Sequence, residues 1–361
     1  MHFNYTKEVL LKGKTLGLYP SLAVSLFNPH EEVFKFFIES DVDSVFDLAS
    51  LTKPFVTGTM LLLLEEKKKL QLENSIGEFL PFVSDELKGV PLHQFLNHSS
   101  GLNWHESWFE NAREEFGGAR SLRRASLAER RAFYQHRFKK ISLVYQPGEK
   151  TLYSDLGYWL LGWVLEEVLG KRLDRISKEF LFCPLGLESI QFFPHDEKID
   201  SEERARILPT ENCPWRGPLR GEVHDDNAWA MGGVAGHAGL FSNLQSVVSL
   251  GRAFLKRELL GISKERLCWS QTREILPKGT DRTPLWVFPT PPNSSSGQYF
   301  SLESFGHTGF TGTSLWIDPV KELGVALLTN RVYPSREERG FKEYRGEIHN
   351  ALVQDWEEVH R

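Results

Sequence analysis

A serine and a lysine stand three residues apart in the segment Ser50-Leu51-Thr52-Lys53, where a helix is predicted to begin. This spacing places both side chains on one helix face, so the amine could take the proton of the hydroxyl. The N–H groups and positive dipole end of the helix N-terminus would stabilise an oxyanion and disfavour a protonated amine. Taken alone, the pair is equally typical of a serine that only caps a helix.

Two further segments carry side chains that would suit the same chemistry. Tyr153-Ser154-Asp155 follows the Pro147-Gly148 turn, and His307-Thr308-Gly309 precedes a β-prone run rich in Gly and Thr. Each segment also has a purely structural interpretation, with Tyr153 as a core ring and Gly309 as a strand bulge.

With these three segments in this order, the chain resembles the serine β-lactamase and penicillin-binding-protein superfamily, in particular its class C-like and esterase branch. Two more stretches add to the resemblance. Residues 96–102 (LNHSSGL) are similar to the LLxHxSGL segment of the family, and residues 236–242 (GHAGLFS) are similar to its GxxGLxS turn. The resemblance extends from about Pro20 to Asn330.

The resemblance implies an acyl-enzyme mechanism. Ser50 would be the nucleophile, Lys53 and Tyr153 the pair of bases, and the backbone N–H groups of Ser50 and Phe310 the oxyanion hole, with Phe310 on the edge strand after Gly309. Free Lys and Tyr side chains titrate at about 10.4 and about 10, so either is a base at neutral pH only if its pKa is lowered. We expect each of the two groups to lower the pKa of the other.

The chain departs from the β-lactamase pattern at two positions, both assigned to substrate binding together with Thr308 and Gly309. Asp155 stands where these enzymes commonly have Asn, and an ionised carboxylate cannot donate a hydrogen bond to a substrate carbonyl. His307 stands where many have Lys, and an unperturbed imidazole titrates at about 6.5. Both changes argue against strong binding of β-lactams or D-Ala-D-Ala carboxylates. Ser154-Asp155-Leu156 could instead be aligned with the S-D-N motif of other branches. Leu156 would then stand at the Asn position, and it lacks the side-chain amide of that residue.

Arg331, at the end of a predicted strand, is the candidate for recovering carboxylate recognition. A surface ion pair is the alternative role for this side chain. His98, His224 and His237 have no metal-ligand spacing, so packed and hydrogen-bonded histidines are favoured over a metal site. No cofactor is expected.

The elements that would position these residues are strands near both ends of the chain and helices between them. The predicted fold class is α+β, a β-lactamase/transpeptidase-like α/β sandwich with an antiparallel sheet. We predict a single domain over 1–361, with a sheet lobe at about 1–50 and 240–361 and a mainly helical lobe at about 51–239. The predicted strands are Leu22–Phe27, Val33–Ile38, Ser314–Ile317 and Gly324–Thr329. The predicted helices are Leu51–Leu70, Leu92–Asn97, Ser121–Phe138, Tyr158–Leu169, Leu173–Phe182 and Tyr344–Val359. Pro284–Gly297 is predicted to be an exposed loop.

Composition excludes several classes of protein. A net charge of −5 argues against a surface that binds nucleic acid. The three cysteines form no CxxC pair, which indicates neither a disulfide framework nor a zinc ribbon. No apolar run is long enough to span a membrane, and without a visible signal peptide we expect a cytoplasmic protein, or a periplasmic one if a leader has been lost.

Residues 119–140 carry eight Arg or Lys against one Glu, which favours a solvated helix face over a site for an anionic partner.

The sequence therefore predicts a serine hydrolase that acts through an acyl-serine on an ester or amide of a small or peptide-like substrate. A D-Ala-D-Ala-type carboxypeptidase or weak β-lactamase is the second hypothesis. A protein that binds peptidoglycan fragments or a partner without catalysis is the third. The oligomeric state is not predicted.

Overall fold

The site lies along the edge of an antiparallel sheet to which both ends of the chain contribute. The computed structural model describes residues 3–272, 277, 280–337 and 339–359. Its strands are β1 (Leu22–Phe27), β2 (Glu32–Ile38), β3 (Phe46–Asp47), β4 (Ile190–Phe192), β5 (Glu211–Cys213), β6 (Gly217–Leu219), β7 (Leu240–Ser242), β8 (Phe305–Thr308), β9 (Ser314–Asp318) and β10 (Leu323–Thr329). The main sheet has the order β2-β1-β10-β9-β8, so β8 is an edge strand. The predicted α+β fold class, with an antiparallel sheet built from both ends of the chain, is confirmed.

Most of the helices lie in the chain between the two groups of strands of the main sheet, and helices also flank this sheet. The α-helices are α1 (Asn4–Thr15), α2 (Thr59–Glu66), α3 (Ile76–Phe79), α4 (Asp85–Lys88), α5 (Leu92–Leu96), α6 (Trp108–Glu115), α7 (Ala119–Arg124), α8 (Leu127–Phe138), α9 (Asp155–Leu169), α10 (Leu173–Ser177), α11 (Ser201–Arg206), α12 (Asp226–Ala230), α13 (Leu244–Lys256), α14 (Lys264–Ser270) and α15 (Phe341–Val359). Among the described residues, no helix is long and apolar enough to cross a membrane.

The two faces of the main sheet belong to two hydrophobic cores. Side chains alternate along a strand, so Val24 of β1 packs into a core with α1 and α15, whereas Ala23 packs into the larger core that contains α13 and the inner helices. Val325 and Ala326 of β10 alternate in the same way. Because both faces are covered, β1 and β10 consist of fully buried residues and show no polar alternation in the sequence.

A second, smaller sheet fixes the segment that leads to Ser50. Its strand order is β3-β7-β4, and all its pairings are antiparallel. The ladder ends where the N–H of Leu48 donates to the carbonyl of Leu240, and the N–H of Leu240 donates to the hydroxyl of Thr52 at 3.2 Å. This sheet therefore holds both ends of the turn that carries Ser50.

Three predicted helices differ from the structure, and the one predicted over Leu173–Phe182 is α10 followed by a π-helical segment (Lys178–Phe182). The helix predicted from Leu51 begins as a 3-10 turn (Ala49–Leu51) and a π-helical segment (Lys53–Gly58) before α2. The hydroxyl of Thr59 donates to the carbonyl of Pro54, and such side-chain bonds compete with regular helical pairing. The helix predicted over Ser121–Phe138 is interrupted, because Ser126 and Glu129 form a capping box that starts α8 anew.

The segment Pro284–Gly297 is predicted to be an exposed loop, and this prediction is wrong for much of its length. Trp286 is 1% exposed and Ser296 is fully buried. Val287 bridges to Gly306 of the edge strand β8 through two backbone hydrogen bonds. Val287 also bridges to Arg282, so the pairing of the segment consists of isolated bridges and forms no regular strand. Its apolar residues Leu285 and Trp286 join the core.

Candidate active site

Ser50 lies in a tight turn that strains the backbone immediately before it. Ala49 has φ of +48°, a left-handed conformation that is uncommon for a residue with a side chain. The buried carboxylate of Asp47 accepts hydrogen bonds from the N–H of Ala49 at 2.8 Å and the N–H of His224 at 2.7 Å. The half-buried Ser50 side chain does not cap the following helix, so the interpretation as an N-cap is wrong.

Lys53 lies on the same side of this turn as Ser50, as the spacing predicted. Its fully buried ammonium donates to the hydroxyl of Ser50 at 3.1 Å and to the carbonyl of His237 at 3.1 Å. Its third contact is the carboxylate of Asp155 at 2.7 Å. All three donors of the ammonium are thus used, and one of them reaches the candidate nucleophile.

Tyr153 is half-buried and faces the same two residues. Its hydroxyl is hydrogen-bonded to Ser50, and the Lys53 nitrogen lies 4.8 Å from the centre of its ring. The ring of His98 lies against it, tilted by 36° with the ring centres 4.7 Å apart, and Nδ1 of His98 accepts the N–H of Ser154 at 3.0 Å. His98 therefore orients the tyrosine segment.

The protonation states of Lys53 and Tyr153 differ from the sequence expectation. Burial lowers the pKa of Lys53, but the carboxylate of Asp155 outweighs burial and raises it overall. Burial also raises the pKa of Tyr153, against the effect of the Lys53 ammonium. The expectation that each group lowers the pKa of the other holds for the effect of Lys53 on Tyr153, although burial outweighs that effect. It is wrong for Lys53, because the charge of Asp155 stabilises the ammonium and Tyr153 does not lower its pKa. At neutral pH the site therefore rests as an ammonium, a carboxylate and a neutral phenol.

His307 is a neutral side chain in this environment. It is 4% exposed, and burial, together with Lys53 and Arg282, lowers its pKa to about 3. Its Nδ1 lies 2.9 Å from the carbonyl of Thr308, so this nitrogen carries the proton and Nε2 is an acceptor. The unperturbed value of about 6.5 therefore does not apply to His307, and the loss of positive charge relative to a lysine at this position is complete at neutral pH.

The segment after β8 forms the wall opposite Lys53. Thr308 ends the strand, and Gly309 lies so close to the Ser50 turn that a Cβ there would be 2.6 Å from the carbonyl oxygen of Leu48. Gly309 is therefore required for close approach and is not a bulge. Phe310, predicted to continue the edge strand, lies in the turn after it, which Thr311 and Thr313 tie to the carbonyls of Asp47 and Leu48.

Arg331 borders the cleft, as does the aromatic ring of Phe310. The Arg331 guanidinium lies 4.7 Å from the centre of the Phe310 ring. Nε of Arg331 also donates to the carbonyl of Phe310 at 2.8 Å. The cleft has a volume of about 910 Å³ and is lined by Ser50 and Tyr153 at one end. Its lining includes four cationic side chains and two acidic ones: Arg282, Arg331, Lys342, Arg345, Glu343 and Glu347.

Three of the residues around the site were not found by sequence reasoning. Arg282 lies 4.9 Å from the centre of the Tyr153 ring, and Arg345 is 5% exposed, with Nη2 donating to the carbonyl of Gly309 at 3.4 Å. Nδ1 of His105 lies 3.7 Å from the carboxylate of Asp155, and this acidic neighbour raises the pKa of the histidine. None of the three stands in a recognisable motif, so the sequence contained no signal for them.

The remaining histidines named in the sequence have protein partners. His237 Nε2 lies 3.0 Å from Asp225, and His224 Nε2 lies 3.2 Å from Glu211. Within the described ranges, no group of His, Cys, Asp or Glu side chains is arranged to hold a metal ion.

Replacing Asp155 by Asn should move the pH dependence of activity. Loss of the carboxylate leaves burial as the dominant influence on Lys53, so its pKa should fall and its amine should become neutral at lower pH. We expect the rising limb of kcat/KM against pH to shift by at least about one unit toward lower pH. Glu343→Gln, which neutralises a carboxylate elsewhere in the cleft, is the matched control. An unshifted limb in Asp155→Asn would show that Lys53 is not the group that titrates.

Comparison with known proteins gives a consistent result. The family model described as "Beta-lactamase" matches residues 18–348. An "N-acetylmuramyl-L-alanine amidase" from Bacillus subtilis is 33% identical over 80% of this chain and 68% of its own. A "Putative D-alanyl-D-alanine carboxypeptidase" from Escherichia coli K12 is 28% identical over 81% of this chain and 70% of its own.

Among solved structures, the octameric penicillin-binding protein homologue from Pyrococcus abyssi superposes with a TM-score of 0.74 at 20% identity. It covers 98% of this chain and 78% of its own. At this identity the likeness concerns the fold alone. The arrangement of side chains in the cleft and the similarities to these proteins are consistent with each other.

Proposed function

Because this chain belongs to the Beta-lactamase family and has the fold of its serine hydrolases, we propose that it forms an acyl-enzyme at Ser50. The observation that carries this proposal is the convergence of two proton-transferring groups on one hydroxyl. Lys53 donates to the Ser50 hydroxyl at 3.1 Å, and Tyr153 bonds the same hydroxyl, at the end of an open cleft. A structural serine would not need two such partners.

The proposed reaction begins when the Ser50 oxygen attacks a substrate carbonyl. Lys53 must first lose the proton that Asp155 stabilises. The Ser50 proton then passes to the neutral Lys53 amine, either directly or through the Tyr153 phenol, which gives its own proton to Lys53 as it receives that of Ser50. The N–H groups of Ser50 and Phe310 would receive the oxyanion, since Gly309 brings this segment against the Ser50 turn. The leaving group takes a proton from the same pair of residues as it departs. Water then attacks the acyl-serine and restores the free hydroxyl.

The substrate that we propose is an amide or ester of a small, peptide-like molecule with a carboxylate. The cleft lining carries more cationic than acidic groups, and Arg331 and Arg345 both approach the backbone after β8. The relatives named above as an amidase and a carboxypeptidase favour an amide. Because His307 is neutral, the anion would be bound by arginines and not by this histidine.

Two other functions remain as alternatives. A D-Ala-D-Ala-type carboxypeptidase or weak β-lactamase would use the same nucleophile, and the name of the Escherichia coli relative favours the first. A binder of peptidoglycan fragments without catalysis would use the cleft alone. The hydrogen bonds of Lys53 and Tyr153 to Ser50 argue against the binder, since binding alone does not require them.

Labelling separates these possibilities. We expect a fluorophosphonate to add one adduct per chain, detected by intact mass and assigned to Ser50 by peptide mapping. A fluorescent penicillin should label the same residue more slowly if β-lactams are poor substrates. Absence of both adducts in the folded protein would refute the proposed acyl-enzyme and favour the binder.

A further inference from the structure

A second cavity lies in the helical part of the chain, at the corner between α7 and α8. Its volume is about 330 Å³, and it shares no lining residue with the cleft at Ser50. Met231 and Val234 form part of its wall, together with the indole of Trp163. Five arginines also line it: Arg123, Arg124, Arg130, Arg131 and Arg172. Four of them come from the basic stretch that the sequence analysis assigned to a solvated helix face.

Three of these arginines are neutralised by carboxylates. Arg123 pairs with Glu222, Arg131 with Glu166 and Glu167, and Arg172 with Asp174, Asp196 and Glu197. The two acidic residues of the cavity lining, Glu166 and Asp196, are therefore already used. The exposed Arg124 has no ion pair with any described residue. Within this part of the chain, an excess of positive charge remains at Arg124 and Arg130.

Arg130 is the unusual member of this set. It is only 4% exposed, and no carboxylate of the described residues lies within ion-pair distance of it. Nη2 donates to the carbonyl of Arg123 at 2.5 Å, Nη1 lies 3.4 Å from Nδ1 of His195, and Nε has no partner. A buried guanidinium without a counter-charge is strongly unfavourable, so such groups are normally paired with an anion. The prediction of a solvated face is therefore wrong for Arg130.

His195, like Arg130, has a buried nitrogen without a hydrogen-bond partner. Since its Nδ1 faces a donor of Arg130, its single proton lies on Nε2, and this buried nitrogen also has no partner. Burial and the nearby arginines hold the pKa of His195 well below its usual range, so the ring adds no charge of its own. The polar atoms left without partners here are both donors. What this cluster lacks is a negatively charged acceptor.

The backbone next to Arg130 leaves room for such a group. Gly232 has φ of +104°, and a Cβ at this position would lie 3.2 Å from Nη1 of Arg130. A side chain here would be strained and would press on the guanidinium. The nearest competing carboxylate on α8, that of Glu129, is held by the N–H and hydroxyl of Ser126.

We propose that this cavity is a binding site for a phosphate group carried by a small molecule, separate from the catalytic cleft. Arginine matches the geometry of phosphate oxygens, and a tetrahedral dianion can accept from several donors at once. A volume of about 330 Å³ suits a small ligand, and the apolar wall at Trp163 would contact its carbon part. This site is independent of the reaction proposed at Ser50.

The test measures the affinity for inorganic phosphate by calorimetry and by the rise in melting temperature, at constant ionic strength set with chloride. We expect wild type to bind one phosphate per chain. Arg130→Met should weaken binding at least tenfold. Arg124→Met, which changes an exposed side chain and should not disturb folding, should weaken it several-fold. Arg120→Met, an exposed arginine of α7 outside the cavity lining, should bind like wild type.

Two controls establish where the anion binds and which anion is preferred. Arg331→Met alters the catalytic cleft, so it should leave phosphate binding unchanged; loss of binding in this variant would place the anion at Ser50 and overturn the proposal. Acetate should bind at least tenfold more weakly than phosphate, and equal affinity would replace phosphate by a carboxylate as ligand. Wild-type affinity in Arg124→Met and in folded Arg130→Met would also refute the site.

Discussion

Ser50→Ala should lower the turnover of a short-chain nitrophenyl ester by roughly 10⁴-fold or more, since the remaining groups cannot form the acyl-enzyme. The fold should persist. Lys53 keeps its bonds to Asp155 and to the His237 carbonyl, so the loss is confined to the two hydrogen bonds of the Ser50 hydroxyl, at about 1 kcal/mol each. Steady-state kinetics and thermal unfolding measured on the same preparation would separate these two effects.

The control for this variant is Ser249→Ala, which removes a serine hydroxyl from α13, far from the cleft lining. It should keep both wild-type turnover and the fluorophosphonate adduct. If Ser50→Ala retained more than about one hundredth of the wild-type rate, another nucleophile would have to be sought. Equal loss of structure and activity would instead indicate that Ser50 serves the fold.

The position of the site could be predicted from the sequence because each part of it is a local motif. Ser50 and Lys53 are neighbours on one turn, and a glycine beside a strand, as at Gly309, can be found in a short window. The sheet strands were also predictable, since β-prone runs such as Leu22–Phe27 are bounded by turn residues. The ordered motifs then predicted the family, and the match over 18–348 confirms it.

The electrostatics of the site could not be predicted in the same way. Lys53 and Asp155 are 102 residues apart in the chain, so nothing in either motif indicates that the two charges lie 2.7 Å from each other. That contact reverses the expected direction of the Lys53 pKa. The same holds for His307, whose pKa depends on burial and on Arg282, a residue without any motif. A motif predicts which groups are present, whereas their ionisation depends on distant parts of the chain.

The basic stretch shows a related limit. Its composition indicates many positive charges, but a count of arginines cannot distinguish Arg124 from Arg130. Only the break between α7 and α8 turns the second of these inward, where it is 4% exposed. Helical periodicity over the uninterrupted segment predicted one long face, because the capping box at Ser126 was not recognised.

Lys53→Ala and Tyr153→Phe should each reduce kcat/KM for an activated ester by about 10²- to 10⁴-fold, while the double variant loses far less than the product of the two. Both side chains bond the same Ser50 hydroxyl, and the Lys53 nitrogen lies 4.8 Å from the centre of the Tyr153 ring. If the proton leaves Ser50 through this pair as one unit, removing either member disables the transfer, and removing the second adds little.

This double-mutant cycle needs a background in which the loss of Lys53 does not leave an unpaired charge. Lys53→Ala alone leaves the Asp155 carboxylate without its ion-pair partner, a change that can cost about 3 to 5 kcal/mol of stability. The same four proteins should therefore also be made with Asp155→Asn, where no such charge remains. A coupling seen in both backgrounds belongs to proton transfer, whereas a coupling confined to the Asp155 background reflects an unpaired carboxylate. Strictly multiplicative losses in both would mean that Lys53 and Tyr153 act in separate steps.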